Sequence, residues 1–288
     1  RADSGRHRQA LEAADAAREH HQRSGSTQGL ARAELARGNI LARQGIYPEA
    51  RSAYDRAVTL FDEIGDTAYK IGSLQAKASV WVSQGRFEDV WQIQPRLRER
   101  ARQAGSRHQE GLLWNTAGEV ARYQGRWDQA RHSYLKGRAI QVELESRLVH
   151  LTDMNLAMVD LGDRQFEQAR QRFTEVEAHL TENNFQSRLG RVYLGLAGCA
   201  AGLNNWQLWE RAVDRVERQL EETEDRHKDD PWLADIAAGY AAEEGQDERA
   251  RRMYRIARDL WAQLDEPQRA EEVDGRIAAL DSPSPTDC

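Results

Sequence analysis

Cysteine is nearly absent. Cys199 and Cys288 are the only two in 288 residues, so no disulfide framework organises the chain and nothing points to a secretory context. Proline occurs six times, which leaves long stretches free of the residue that interrupts helices. Lysine is rare too: Lys70, Lys77, Lys136 and Lys228 are the only four among 41 basic residues. No apolar run approaches the roughly 20 residues that a membrane-spanning helix needs. The sequence therefore does not read as a membrane protein, and a cytoplasmic location is the expectation. An excess of cations is also missing. With 47 acidic against 41 basic residues and a net charge of −6, the composition argues against a basic footprint for nucleic acid. The chain opens at Arg1 without methionine or a signal-like apolar stretch, and so is expected to be a trimmed piece of a longer polypeptide.

What the chain has instead is alanine, 40 residues of it, against 31 for isoleucine, valine and threonine together. Alanine with arginine, glutamate, glutamine and leucine favours helix over strand. A phrase then repeats: Gly45-Ile46-Tyr47-Pro48-Glu49-Ala50-Arg51 with Tyr54 returns as Gly85-Arg86-Phe87-Glu88-Asp89-Val90. It returns again as Gly125-Arg126-Trp127-Asp128-Gln129-Ala130-Arg131 with Tyr134. A fourth copy runs from Gly162 to Phe166, with one extra residue in its turn and Ala169 and Phe173 beyond. A degraded fifth is Asn204-Asn205-Trp206, and a sixth begins at Gly245 and carries Ala250 and Tyr254. The aromatics at 47, 87, 127, 166 and 206 lie 40, 40, 39 and 40 residues apart. Such a period is the mark of a repeat architecture.

Each period holds two helical patterns. Trp114, Ala117, Gly118 and Ala121 recur at spacings of three and four, Gly125 interrupts, and Trp127, Ala130, Tyr134 and Gly137 begin again. Those spacings put the named residues on one face of each helix. Glycine between the runs suits a left-handed C-terminal cap. The other turn carries N-cap residues, at Gly65-Asp66-Thr67, Gly105-Ser106, Asn183-Asn184, Asp229-Asp230-Pro231 and Asp265-Glu266-Pro267. Pro231 and Pro267 fit a first helical turn. First helices are expected near 27–44, 67–84, 107–124, 146–161, 186–203, 231–244 and 267–280. Second helices are expected near 6–23, 47–63, 87–104, 127–144, 165–181, 206–222 and 246–263. Pro95 falls inside one of them and should kink it by deleting a backbone bond. The stretch from Glu221 to Asp230 reads as a lengthened turn, and 281–288 as a flexible tail.

The pattern resembles the tetratricopeptide repeat. The third copy carries the family's alternation of large and small residues as Trp114, Gly118, Gly125, Trp127, Ala130, Tyr134 and Gly137. The first carries Gly38, Gly45, Tyr47, Ala50, Tyr54 and Ala57, and the sixth Ala238, Gly245, Ala250, Tyr254 and Ala257. The period of about 40 exceeds the family's usual 34, which is similar to longer-helix variants in the regulatory regions of bacterial signalling proteins. The second copy departs from the pattern with Val90, Gln94 and Pro95, and the fifth with Trp209 and Val213. The resemblance implies an all-α, right-handed superhelical solenoid of antiparallel helix pairs over residues 1–280. That is about six full repeats, an N-terminal half repeat and a charged capping helix at 267–280.

Catalytic and metal chemistry find no support. Eight histidines, at 7, 20, 21, 108, 132, 150, 179 and 227, fall in no zinc-protease spacing and beside no cysteine pair. No phosphate-cradling loop is present. The run Gly195 to Gly202 reads as small residues required for helix packing, with Cys199 a buried small residue among them. Arg96, Arg98, Arg100 and Arg102, broken by Glu99, read as an exposed convex surface. The sequence therefore implies no enzyme, cofactor or metal.

Recognition is what such a solenoid implies, since stacked helix pairs create a concave wall lined by first helices. The face opposite the packing residues presents Arg32, Leu35, Asn39, Arg43, Gln75, Ser79, Leu112, Asn115, Glu119, Arg122 and Tyr123. Asn39 and Asn115 stand out because an amide can both donate to and accept from a peptide backbone. Chaperone-binding members of the family hold a carboxylate with lysines and asparagines, and Leu35 stands where the first such lysine belongs. The first reading is a non-enzymatic protein- or peptide-binding scaffold, the C-terminal regulatory region of a larger bacterial signalling protein. The alternative is a domain that senses a small molecule or signal peptide and controls an upstream kinase, nucleotidase or DNA-binding domain.

Overall fold

A computed structural model describes residues 2–223 and 226–280, with side chains from residue 8 onward. The tail expected at 281–288 lies outside the described residues. Among these residues there is no strand, and fourteen α-helices follow one another in order. They divide into two compact units, residues 1–147 and 148–288. The first unit holds α1 (Ala2–Arg23), α2 (Thr27–Arg43), α3 (Tyr47–Glu63), α4 (Thr67–Ser83), α5 (Phe87–Gln103), α6 (Arg107–Tyr123) and α7 (Trp127–Glu143). The second holds α8 (Val149–Gly162), α9 (Phe166–Glu182), α10 (Leu189–Gly202), α11 (Trp206–Glu222), α12 (Asp230–Glu243), α13 (Asp247–Gln263) and α14 (Pro267–Ala279). A 3₁₀ turn at Gln186–Arg188 leads into α10. Every expected helix is present, so the chain is an all-α repeat solenoid.

The turns explain the regularity. In the first unit, Gly45, Gly65, Gly85, Gly105 and Gly125 each stand two residues beyond a helix end, with φ between 65° and 74°. That left-handed conformation costs glycine nothing. It lets the next amide return to the helix just finished: Ile46 N–H donates to the Leu41 carbonyl at 3.0 Å, and Arg126 N–H to that of Ala121 at 2.9 Å. Where glycine is missing the same position is still left-handed, at Glu145, Arg164, Asn184, Asn204 and Asp265. Gly162, the expected turn glycine of the fourth copy, is instead the last residue of α8. The extra residue expected in this turn is not there: 163–165 has the same three residues as its counterparts, and Arg164 takes the left-handed position at φ 59°.

Starts are fixed as well. Asp66 accepts from Tyr69 N–H at 3.1 Å and Ser26 from Gly29 N–H at 3.2 Å, each taking up an orphan donor of a first turn. Pro231 and Pro267 lie in first turns. The connection from α11 to α12 is longer than the three-residue turns that join most of the helices, in keeping with the turn expected there. Pro95 does not break its helix, since α5 runs unbroken across it.

Within each unit, aromatics of second helices fill space left by small residues of first helices. Tyr54 of α3 lies against Gly38 of α2, and a Cβ there would stand 2.6 Å from the ring. Tyr134 of α7 covers Gly118 of α6 in the same way, at 2.8 Å. In the second unit Gly195, Gly198 and Gly202 of α10 meet Phe173, Leu161 and Phe166. The glycine-rich run is therefore helix packing. Cys199 is buried beside it, and burial pushes its thiol well above the ordinary range, which removes the thiolate that a nucleophile needs.

Candidate partner-binding surface

The 40-residue period places matched positions on successive first helices of the first unit. Leu35, Gln75 and Asn115 form one row across α2, α4 and α6, and Asn39, Ser79 and Glu119 form a second. Asn39 is exposed and the other five are half-buried. Arg32, in the second turn of α2, and Arg43, its last residue, are exposed, while Leu112 and Tyr123 are half-buried on α6. All eleven residues expected to meet a partner thus fall on three helices of one unit.

Several are already committed within the chain. Asn39 accepts a hydrogen bond from the Tyr54 hydroxyl at 2.9 Å, so its amide holds a core tyrosine as well as facing outward. Burial pushes the Tyr54 hydroxyl up to about 12, although Arg43 acts to lower it. Asn115 packs on Gly137 of α7, where a Cβ would stand 2.2 Å from its Oδ1. Gln75 Nε2 donates to Ser79 Oγ at 3.2 Å and reaches Thr116 Oγ1 of α6 at 3.4 Å. Arg32 lies 5.1 Å from the centre of the Tyr69 ring. Leu35 packs against the two small clusters built around Tyr54 and Phe61. Arg122 is only 3% exposed, with its guanidinium 4.5 Å from the centre of the Tyr123 ring, and so is not a surface residue. Tyr123 in turn stacks on Phe87 at 6.0 Å.

The arginine run on α5 is only partly the solvated face expected of it. Arg98 lies 4.3 Å from the centre of the Trp114 ring, and burial lowers its pKa. Arg102 pairs with Glu99 at 2.9 Å and with the buried Glu110 at 3.3 Å. Arg96 and Arg100 are exposed. Among the described residues no three histidines, cysteines or carboxylates gather as a metal site would require, and no helix is long and apolar enough to cross a membrane.

A feature not read from the sequence is a groove of about 880 Å³ over the exposed half of α3, bordered by α1, α2 and α4. Two ion pairs cross its walls: Lys77 Nζ to Asp55 at 2.5 Å and Arg56 Nε to the buried Glu34 at 3.0 Å. The first repeats one period earlier, where Arg37 meets Asp15 at 2.9 Å. The matching pairs Asp15–Arg37 and Asp55–Lys77, each displaced by 40 residues, were the signal available in the sequence.

No family model matches the chain, and no curated protein matches it in sequence. Solved structures do. The apo form of RapI superposes with a TM-score of 0.67 at 11% identity, over 89% of this chain and 99% of that one. A Rap protein complexed with competence and sporulation factor gives 0.62 at 13% identity, over 87% and 74%. A tetratricopeptide repeat protein from Parabacteroides merdae gives 0.51 at 18% identity, over 94% of both chains. At these identities the likeness is one of fold. In fold, the chain is a helical repeat protein of the tetratricopeptide type.

Proposed function

We propose that the chain is a non-enzymatic scaffold that binds a protein or peptide along the first helices of its first unit. The observation that carries this is the pair of matched rows, Leu35–Gln75–Asn115 and Asn39–Ser79–Glu119, which the repeat sets across α2, α4 and α6. Solenoids bind through such extended, repeated surfaces. The rows mix an apolar side chain with amides and a hydroxyl, which both donate to and accept from a peptide backbone, and a carboxylate, which accepts from it. The commitments of Asn39 and Gln75 within the chain hold their amides in place, so little side-chain entropy is lost on binding.

Affinity capture with mass-spectrometric identification tests the reading. Asn39→Arg with Ser79→Arg sets bulk and charge in the second row, and Glu175→Arg, at an exposed position on α9, is the control. The partners taken by the wild type and the control should be lost by the double variant. Retention of every partner by the double variant would remove the rows from consideration.

A second reading is favoured by the similarity to the Rap protein complexed with competence and sporulation factor. Here the same surface would receive a signal molecule and control another domain of a larger bacterial signalling protein. It would be supported by a ligand-dependent change in the activity of an adjoining kinase, nucleotidase or DNA-binding domain.

A further inference from the structure

The groove over α3 shares no residue with the two rows, and its chemistry is different. Five cations line it, Arg18 of α1, Arg51 and Arg56 of α3, Lys77 of α4, and Arg86 in the turn that follows. Two carboxylates oppose them, Glu34 and Asp55, leaving the groove three positive charges in excess within a chain of net charge −6. The excess extends beyond the groove: the first unit carries 24 basic and 18 acidic residues, and the second 17 and 29.

The positive charges are held unequally. Asp55 takes Lys77, Glu34 takes Arg56, and Arg86 Nε meets Asp89 at 2.7 Å. Arg18 reaches Asp15 only at 3.8 Å. Arg51, half-buried in the groove, enters none of the ion pairs formed among the described residues. Lys77 Nζ and the Arg86 guanidinium lie 5.4 Å and 5.6 Å from the centre of the half-buried Trp81 ring, which fixes both heads against one aromatic wall.

We infer that this groove is a docking site for an acidic protein segment in extended conformation. The lining on α3 runs from Pro48 to Leu60, about 18 Å at the helical rise. That length accommodates roughly five extended residues. Carboxylates of the segment meet Arg51 and Arg18, where a planar guanidinium takes a carboxylate through two parallel bonds. Apolar side chains of the segment meet Leu30, Leu60 and Trp81. A nucleic-acid strand fits less well. One tryptophan offers no series of stacking platforms for its bases.

The test is fluorescence anisotropy of the full chain with a fluorescein-labelled Asp-Glu-Leu-Asp-Glu-Leu hexapeptide at low salt. Controls are the same peptide with lysine at every acidic position and a labelled single-stranded oligonucleotide of equal negative charge. The acidic peptide should bind, and its affinity should fall at least tenfold with Arg51→Glu and again between about 50 and about 300 mM salt as screening shortens. Arg86→Glu, at an exposed position, should weaken it as well, and Arg96→Glu on α5, outside the groove, should not. Circular dichroism melts of each variant separate lost binding from lost folding. Equal binding of the lysine peptide, tighter binding of the oligonucleotide, or full affinity in both groove variants would overturn the assignment. Loss of partner capture by the row variants bears only on the first-helix surface, so the two sites fail separately.

Discussion

At the scale of single residues, the fold rests on places where a side chain is absent. Gly38 and Gly118 let the rings of Tyr54 and Tyr134 lie directly on a neighbouring helix. Gly38→Ala should force the buried Tyr54 ring aside and cost about 1–3 kcal/mol, the usual penalty of overpacking, read as a lower denaturant midpoint. Tyr54 also sets a pH limit. Its hydroxyl is raised from 10 to about 12 by burial, so between those values the folded state holds a proton that the unfolded chain releases. Stability from this group is complete below pH 10 and is lost as pH rises toward 12. The buried hydroxyl of Tyr240 and thiol of Cys199 are raised too and act in the same direction. In melts taken from about pH 9 to about pH 12, Tyr54→Phe should lose stability less steeply than the wild type. An unchanged slope would show that Tyr54 ionises without cost. Asn39 illustrates what sequence reading misses at this scale. Helical spacing places it on the outward face, but only coordinates reveal that its Oδ1 holds the Tyr54 hydroxyl.

At the scale of helices, the legible part was the alternation of runs and stops. Helix ends recur because a left-handed residue closes each turn, and glycine at 45, 85 and 125 announces it. The fourth copy is the exception: counted from Gly162 its turn reads one residue too long, but Gly162 still belongs to α8. The turn 163–165 has the usual three residues, and Arg164 holds the left-handed position that any reading keyed to glycine overlooks. Pro95 is the other case. It removes the amide that would donate to Trp91, yet α5 continues across it, because packing along the helix outweighs one missing bond. Pro95 is exposed, so Pro95→Ala should restore that bond without disturbing the core. The expected gain is about 1–3 kcal/mol, checked by chemical denaturation; a loss of stability would mean that the proline is needed where it stands. The ion pair of Asp15 with Arg37 and of Asp55 with Lys77 shows the period at work between helices. One period later the positions hold Pro95 and Ala117, so the series stops.

At the scale of the molecule, the repeat was readable over nearly the whole chain, because packing between neighbouring helices imposes one pattern on every copy. The division into two compact units was not, since residues on either side of Arg147 carry the same helical pattern. Charge is distributed between the units rather than along the repeat, and the groove over α3 draws on four helices at once. No local motif encodes such a site. The rows on α2, α4 and α6, by contrast, follow from the period alone. Hydrogen–deuterium exchange of the chain with and without a partner isolated by affinity capture tests them most directly. The account expects slower exchange over 32–43, 75–79 and 112–123, with the exposed faces of α9 and α11 unchanged. Protection confined to other helices, with those three segments exchanging as in the free chain, would contradict it.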